Sequence, residues 1–278
     1  MTVAEALSDA SERLAQAGVA EPRREAASLL AFVLKRAAVF LIAHPEHELS
    51  EDETAEFISA VERRTIREPF QYITGRQQFY GLDFVVCPGV LIPRPETEIL
   101  VAAAIEALPD GSRFCEIGVG SGCISVSILK KVPEATAVTV DISDDALVVA
   151  AENAKEHGVA DRIEIFRSDL FEAVTGTFDL MVSNPPYVPE TDRAKMQVEV
   201  REFEPARALF AGPDGLDVIR RIIFEAPTYL NHDGLLLMEI GFGQADGVAG
   251  LFDPTLWSDV AFLNDLQLIP RVVRARRR

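Results

Sequence analysis

The chain has 278 residues, of which 48% are hydrophobic and 26% are charged, a composition typical of a globular protein rather than a disordered one. This length predicts a core domain of about 200 residues and a smaller domain. The net charge of −17 argues against a protein that binds duplex nucleic acid, because such binding depends largely on Lys and Arg residues that neutralise phosphates.

The sequence lacks the features of membrane, secreted and zinc-binding proteins. Residues 1–11 do not have the basic-then-apolar order of a signal peptide, and no apolar run is long enough to span a bilayer. The cysteines at positions 87, 115 and 123 form no C-x-x-C pair, so neither a disulfide framework nor a metal site is predicted. We therefore expect a cytoplasmic protein without a membrane partner.

Residues 1–74 predict a small helical domain. Thr2 with Glu5, and Ser50 with Glu53, match the capping-box pattern at a helix N-terminus, and apolar residues recur at helical spacing after each pair. Residues 75–95 are rich in aromatic residues, glycine and proline, which predicts a hairpin and linker. Residues 96–278 alternate strand-like and helix-like segments, which predicts an α/β fold with a doubly wound sheet.

A glycine-rich loop follows the first strand of this sheet. The apolar segment 114–117 leads into Gly118-Val119-Gly120-Ser121-Gly122, and a helical pattern begins at Ile124. Alternate glycines allow a sharp turn and let the backbone approach a ligand at the helix N-terminus. The dinucleotide fingerprint requires glycine at position 123, where this chain has Cys123, so the loop does not favour a nicotinamide cofactor.

Two acidic residues follow the next two strands. Asp141 ends the segment 137–140, about 20 residues beyond Gly118, the spacing at which an acid meets a ribose diol. Asp169 and Leu170 follow the segment 163–166, where an adenine amino group could be bound. Either acid alone is equally well explained as a turn former or helix cap. Because the carboxyl ends of parallel strands meet at one edge, together they predict a site for a nucleoside-containing ligand.

The tetrapeptide Asn184-Pro185-Pro186-Tyr187 follows the apolar segment 178–182, which predicts a rigid loop at a strand end. The Asn184 side-chain oxygen and the Pro185 carbonyl can direct two acceptors at one point. Two such acceptors suit a planar NH2 group, with Tyr187 covering its plane. An ordinary proline-rich turn explains the isolated motif equally well, and the glycine loop upstream favours a binding site.

The last segments complete the sheet. Residues 234–240 are apolar enough for a buried central strand, and residues 259–263 and 268–273 predict an antiparallel edge. The five arginines between positions 271 and 278 are expected to form a solvated tail.

These motifs resemble those of class I S-adenosylmethionine-dependent methyltransferases, and more narrowly the protein-(glutamine-N5) methyltransferases that modify peptide chain release factors. The resemblance covers nearly the whole chain. It rests on the segments 79–84, 91–98, 114–122, 184–187, 204–205 and 212–216. The stretch Pro93-Arg94-Pro95-Glu96-Thr97-Glu98 distinguishes the release-factor enzymes from adenine-N6 DNA methyltransferases, which share Asn-Pro-Pro-Tyr but not this block.

The resemblance implies a Rossmann-like methyltransferase domain, S-adenosyl-L-methionine as cofactor, and the glutamine of a Gly-Gly-Gln loop in release factors as substrate. It implies catalytic roles for Asn184, Pro185 and Tyr187, with Pro186 also in the substrate site. The implied cofactor-binding residues are Glu116, Gly118, Val119, Gly120, Ser121, Gly122, Asp141, Asp169, Leu170 and Asn184. Glu116 would bind the methionyl ammonium directly or through water, and Thr97, Glu98 and Glu239 are further candidates.

Other interpretations stay open at this stage. A glutamine methyltransferase of a ribosomal protein shares Asn-Pro-Pro-Tyr but not the block at 93–98. An adenine methyltransferase of nucleic acid fits poorly with the acidity of the chain, so no direct nucleic-acid binding is expected. A non-catalytic binding module on this fold is a third alternative. Because a glutamine on a flexible loop offers little surface for discrimination, residues 1–74 are expected to recognise the protein substrate.

Overall fold

The computed structural model describes residues 1–109 and 111–278. They form two compact units, the first made of Met1–Arg76 together with Gln197–Phe203, and the second of Gln77–Met196 together with Glu204–Arg278. Among the described residues, no helix combines the length and the apolar character that a membrane span requires.

The helices of the chain, in order, are α1 (Val3–Gln16), α2 (Pro22–Leu34), α3 (Ala38–Ala43), α4 (Glu51–Thr65), α5 (Phe70–Thr74), α6 (Glu98–Ala107), α7 (Cys123–Lys131), α8 (Asp144–Glu156), α9 (Val198–Phe203), α10 (Asp217–Glu225) and α11 (Ala245–Ala249). The strands are β1 (Arg76–Phe79), β2 (Leu82–Val85), β3 (Arg113–Ile117), β4 (Thr136–Asp141), β5 (Ile163–Arg167), β6 (Phe178–Ser183), β7 (Leu230–Glu239), β8 (Trp257–Asn264) and β9 (Pro270–Arg277).

The first unit contains α1 to α5 and, from far along the chain, α9. Both predicted capping boxes are confirmed, because the hydroxyls of Thr2 and Ser50 each accept from the N3 backbone N–H, and the backbone N–H of each donates to the side chain of the N3 glutamate. The apolar faces of α1, α2 and α4 enclose a core that includes the fully buried Leu14, Leu29 and Leu30. Amphipathic helices that bury one face against each other account for this bundle.

The second unit opens with the β1–β2 hairpin. Tyr80 and Gly81 both have positive φ angles, 51° and 76°, as a two-residue turn whose twist matches its strands requires. Asn153 on α8 anchors the hairpin: its Oδ1 accepts from Val85 N at 2.8 Å, and its Nδ2 donates to the Val85 carbonyl at 3.0 Å. The same Nδ2 donates to the Ser121 carbonyl at 2.8 Å, so this buried side chain also holds the glycine loop.

A seven-stranded sheet with the order β5-β4-β3-β6-β7-β9-β8 forms the centre of the second unit. The neighbours from β5 to β7 pair in parallel, and β9 pairs antiparallel with both β7 and β8. Apolar clusters cover both faces, one including residues of α6 and α7 and the other residues of α10. The predicted doubly wound sheet with an antiparallel edge is therefore confirmed, and the carboxyl ends of β3, β4, β5 and β6 share one edge.

The expectation of a solvated arginine tail is wrong. Most of this segment belongs to β9, which pairs with β7 through residues 272–276. Arg276 Nη1 donates to the Asp233 carbonyl at 2.8 Å, and Arg278 Nε donates to the Trp257 carbonyl at 3.1 Å. Ala275, which lies between Arg274 and Arg276, is fully buried, because successive residues of a strand face opposite sides.

Candidate functional site

A cavity of about 320 Å³ lies within the second unit, where strands β3 to β6 end. This is the position at which an open α/β sheet offers a crevice to a ligand. The sequence-predicted residues that line it are Gly118, Gly120, Asp141, Asp169, Leu170, Asn184, Pro185 and Pro186. The lining does not include Glu116, Val119, Ser121, Gly122 or Tyr187.

The glycine loop brings bare backbone to this cavity. Gly118 and Gly120 have φ angles of 79° and 53°, and a Cβ added to either would meet no atom within 4 Å. The Gly118 and Val119 N–H groups both donate to the Val140 carbonyl at 2.9 Å, which fixes the loop to the end of β4. A positive φ beside open space is what close approach of a ligand to the backbone requires.

Gly122 serves the packing of helices instead. It has a φ of 80°, and a Cβ there would lie 3.3 Å from the Cα and Cβ of Ala150 on α8. Its N–H donates to the Val119 carbonyl at 2.8 Å. The third glycine thus closes the turn and allows α8 to pack against the start of α7.

The Asp141 carboxylate accepts two hydrogen bonds from the backbone. Its Oδ2 accepts from Gly120 N and its Oδ1 from Ser143 N, both at 2.9 Å. A carboxylate has about four lone-pair positions, so two backbone donors leave capacity for hydroxyl groups of a ligand in the cavity. This acid therefore joins the glycine loop to β4 in addition to lining the site.

Glu116 is fully buried behind the loop. Its Oε2 accepts from the backbone N–H of Ser125 at 3.1 Å and from the Ser125 hydroxyl, whereas Oε1 has no hydrogen-bond partner among the described residues. Burial raises the pKa of this carboxyl to about 8, against the lowering effect of the Ser125 hydrogen bonds. A buried carboxyl oxygen without a donor suits an ammonium group or a bridging water.

The third strand end is shaped by residues that sequence inspection missed. Ser168 Oγ donates to the Leu170 carbonyl at 2.8 Å and accepts from Ala173 N at 3.0 Å, which supports the positive φ of 49° at Leu170. Arg221 on α10 donates to Asp169 Oδ1 at 3.0 Å. Ser168 follows its strand directly and was within reach of the strand-end argument, but nothing in the sequence indicates that Arg221 is adjacent.

The side chains around Asn184 form a continuous hydrogen-bonded chain. Asn184 Nδ2 donates to Thr97 Oγ1 at 3.1 Å, and the Thr97 hydroxyl donates to Glu239 Oε2 at 2.6 Å. The Tyr187 hydroxyl donates to Glu239 Oε1 at 3.2 Å. Burial raises the pKa of Glu239 to about 7, and both hydrogen bonds oppose that rise. Burial, followed by the charge of Glu239, also raises the pKa of Tyr187.

Two acceptors remain free at the strand end. Among the described residues, neither Asn184 Oδ1 nor the Pro185 carbonyl accepts a hydrogen bond. Both residues line the cavity. The loop therefore presents two acceptors to a ligand, while its side-chain donors, Asn184 Nδ2 and the Tyr187 hydroxyl, bind Thr97 and Glu239.

Gln244 fixes the far side of this loop. Its Nε2 donates to the Tyr187 carbonyl at 2.9 Å, and its Oε1 accepts from Gly241 N at 2.8 Å. Gly215 packs against the same carbonyl, since a Cβ at that position would lie 2.1 Å from it. The segment 212–216, for which the sequence indicates no role, thus makes room for the loop.

Residues 93–98 form hydrogen bonds with the hairpin, with Glu204 and with the loop at Asn184. Glu98 Oε1 accepts from Tyr80 N at 2.8 Å, so this side chain holds the hairpin. Glu204, which is buried, accepts from Ile92 N at 3.2 Å and pairs with Arg94. Of this block, Thr97 contacts the loop that carries the two free acceptors.

The chain is similar to known methyltransferases in sequence and in fold. Residues 5–75 match the PrmC N-terminal domain model and residues 95–212 match the Methyltransferase small domain model. The release factor glutamine methyltransferase of Geobacter sulfurreducens is 45% identical over 95% of this chain and 92% of the relative. That of Koribacter versatilis is 42% identical over 100% of this chain and 99% of the relative. A methyltransferase structure from Pyrococcus furiosus shares the fold, with a TM-score of 0.54 and 14% identity over 82% of this chain and 98% of that one.

The sheet order, the glycine loop and the cavity at the strand ends define a class I S-adenosylmethionine-dependent methyltransferase. The identities over nearly the full length of both chains make the assignment narrower. The chain belongs to the release factor glutamine methyltransferase family.

Proposed function

We propose that this enzyme transfers the methyl group of S-adenosyl-L-methionine to the side-chain amide nitrogen, N5, of the glutamine in the Gly-Gly-Gln motif of peptide chain release factors. The observation that carries the proposal is the pair of free acceptors, Asn184 Oδ1 and the Pro185 carbonyl, on a rigid loop at the cavity. Family membership supports the class of substrate.

An amide nitrogen is a poor nucleophile because its lone pair is delocalised into the carbonyl group. The cofactor supplies an electrophilic methyl group when it is bound. Asn184 Oδ1 and the Pro185 carbonyl accept the two N–H hydrogens of the glutamine, which orients its nitrogen and stabilises the positive charge that develops on it. Tyr187, held by Glu239, covers the amide plane. As the N–C bond forms, the bond between the methyl group and the sulfonium sulfur breaks and the N–H proton becomes acidic. That proton is then released to water, so no strong base is needed beforehand.

The residues around the cavity fit the cofactor. Gly118 and Gly120 leave the backbone open for the methionyl part, and the partnerless Oε1 of Glu116 suits its ammonium group directly or through water. Asp141 has lone pairs left for the ribose hydroxyls, and Asp169 with Leu170 flanks the adenine position. Val119, Ser121 and Gly122 complete the loop that carries these groups.

The helical domain, residues 1–74, recognises the release factor in this proposal. A tripeptide on a flexible loop gives too little contact for discrimination, so binding energy from a remote surface must help to orient it. The reaction takes place in the cytoplasm and involves no direct contact with nucleic acid. The family match of residues 5–75, separate from the match at 95–212, supports an independent role for this part.

One assay tests the proposal against its alternatives. The purified enzyme is incubated with labelled S-adenosylmethionine and, in parallel, with a release factor, a large-subunit ribosomal protein and DNA. Label is expected only on the release factor, and fragment mass spectrometry should place it on the glutamine of Gly-Gly-Gln. Label on the ribosomal protein or the DNA alone would contradict the proposal.

A further inference from the structure

The orientation of the Asn184 amide decides whether the loop can bind the substrate nitrogen. The two ends of an asparagine amide have nearly the same shape but opposite hydrogen-bonding character. With Oδ1 toward the cavity the side chain accepts from an NH2 group, whereas with Nδ2 in that place two donors would face each other. Catalysis therefore requires contacts that hold the Asn184 amide with Oδ1 toward the cavity.

We propose that Thr97 and Glu239 are positioning residues that fix the Asn184 amide with its Oδ1 directed at the substrate. The inference rests on the proposed function, since it assigns no new reaction but says how the acceptor is held. Both residues lie in the second unit, and they are 2% exposed each, so their hydrogen bonds face no competition from bulk water.

The hydrogen bonds from Asn184 to Thr97 and from Thr97 to Glu239 form a relay. The direction of donation along this relay follows from counting hydrogens. A threonine hydroxyl has one hydrogen, and Thr97 gives it to Glu239 Oε2 at 2.6 Å. The oxygen of Thr97 can then only accept, so the group at 3.1 Å on Asn184 must be the donor Nδ2. Oδ1 is consequently on the other side of the amide, where no described residue donates to it.

Glu239 sets this direction as long as it is ionised. A carboxylate can only accept, and Glu239 accepts from Thr97 at one oxygen and from Tyr187 at the other. A protonated Glu239 can instead donate to Thr97, which frees the threonine hydrogen for Asn184 Oδ1. The amide would then turn over and present Nδ2 to the cavity. Protonation of one buried carboxyl thus removes the constraint on the Thr97 hydrogen and permits the opposite amide orientation.

The groups around Glu239 have opposing effects on its pKa. Burial is the largest effect and raises its pKa to about 7; the hydrogen bonds from Thr97 and Tyr187 lower it, the charge of Glu96 raises it, and Arg271 lowers it. The Cys123 thiol also interacts with Glu239, and Arg94 and Arg271 act on the Tyr187 hydroxyl. Since the carboxylate is the working form, kcat should rise as pH increases through about 7.

The first test removes the hydroxyl from the relay. Thr97→Val keeps the side-chain shape and is expected to lower kcat by about 10- to 100-fold. This loss should be smaller than that of Asn184→Ala, which removes the acceptor itself. Thr97→Ser retains the hydroxyl and should restore most of the activity. The affinity for S-adenosylmethionine, measured by calorimetry, should change little in either variant. The melting temperature of Thr97→Val should fall, because Glu239 Oε2 and Asn184 Nδ2 both lose a hydrogen-bond partner, whereas that of Thr97→Ser should stay close to the wild type.

A double-mutant cycle separates positioning from general destabilisation. If Thr97 acts through Asn184, Thr97→Val should have no further effect on kcat in an Asn184→Ala background. Multiplicative losses would overturn the proposal, as would a normal kcat for Thr97→Val. If Asn184→Ala itself retains wild-type kcat, or the wild type does not methylate glutamine, the proposed function fails first, which is a different outcome.

The second test uses the charge and does not depend on the folding of the Thr97 variant. Glu239→Gln can still accept from Thr97 through its amide oxygen while donating to Tyr187, but it cannot titrate. The variant should therefore keep kcat at pH 8.5 within about tenfold of the wild type and lose the activity change near pH 7. Persistence of the same change in Glu239→Gln would overturn the role of Glu239.

Discussion

The proposed mechanism depends most on Asn184, because its amide oxygen is one of two free acceptors at the cavity. Replacement by alanine leaves the glutamine NH2 held by the Pro185 carbonyl alone. We expect Asn184→Ala to lower kcat by about 10²-fold or more, the usual loss for one oriented polar group in a transition state.

Single-turnover methylation of a Gly-Gly-Gln peptide measures this effect, with calorimetry of S-adenosylmethionine to show that the cofactor site is intact. A kcat close to that of the wild type in a folded variant would exclude the role of Asn184.

Asp141 lines the cavity and is the proposed partner of the cofactor ribose. Asp141→Asn keeps its size but replaces one acceptor oxygen with a donor, which opposes the N–H of either Gly120 or Ser143 and removes a charge-assisted bond to the ribose. We expect S-adenosylmethionine affinity to fall by about 1.5–3 kcal/mol.

Asp144→Asn is the matched control, because it makes the same change at an exposed residue of α8 that does not line the cavity. Calorimetric dissociation constants of the two variants should differ by at least tenfold. Equal affinities would remove Asp141 from the ribose site.

At the scale of elements, α9 is held by ion pairs within the helical unit. Glu199 Oε1 accepts from Arg64 Nη2 at 3.0 Å and from Arg67 Nε at 2.7 Å, while Oε2 accepts from Arg67 Nη2 at 2.7 Å. Arg64 is only 5% exposed and also binds Glu25, so these carboxylates compensate its buried charge. The sequence interpretation placed these residues in one domain from 96 to 278, whereas the ion pairs join α9 to the first unit.

The ion pairs predict an acid-sensitive attachment of α9. Burial raises the pKa of Glu199, but hydrogen bonds from Arg67 and Arg64 outweigh it and lower that pKa to about 2. Because the folded-state pKa lies below the unfolded value of about 4.3, the stabilisation is complete above the unfolded pKa and is lost as pH falls from about 4.5 towards 2. Hydrogen exchange of α9 amides should accelerate over this range.

Glu199→Gln should destabilise the helical unit by about 1.5–3 kcal/mol at neutral pH, the cost of removing charge-assisted hydrogen bonds. Glu202→Gln, an exposed change in the same helix, should cost far less. Similar urea midpoints for both variants would show that the Glu199 pairs contribute little.

At the scale of the whole molecule, we propose that the helical domain recognises the protein substrate. Val39 and Ile42 stand three residues apart on α3 and are 68% and 81% exposed, so they form an apolar spot on that helix. We expect the double variant Val39→Asp, Ile42→Asp to raise KM for an intact release factor about tenfold or more, without changing turnover of a Gly-Gly-Gln peptide.

Leu266→Asp is the control, since Leu266 is a fully exposed apolar residue of the second unit. Steady-state kinetics with both substrates distinguish the two variants. An unchanged KM for the release factor would exclude this face of α3 from recognition. Point variants in the full chain are preferable to a chain that begins near Gly75, because such a chain would lack Arg64 and Arg67, the partners of Glu199.

The sequence by itself determined the elements and the edge of the sheet that carries the site. The capping pairs at Thr2 and Ser50, the glycine turn at Gly81 and the apolar strands depend on local preferences, which short segments already express. The strand ends at Gly118, Asp141, Asp169 and Asn184 meet for a topological reason, because parallel strands in a doubly wound sheet end at one edge.

Only the tertiary structure decided which side chains from distant segments touch. Thr97, Asn184 and Glu239 are far apart along the chain, and no local pattern indicates that they form one relay. The same holds for Glu199 with Arg64, and for the C-terminal arginines, whose charge suggested a solvated tail before strand pairing and alternating burial were known. Local preferences fix elements, whereas such contacts depend on how burial of the apolar faces brings the elements together.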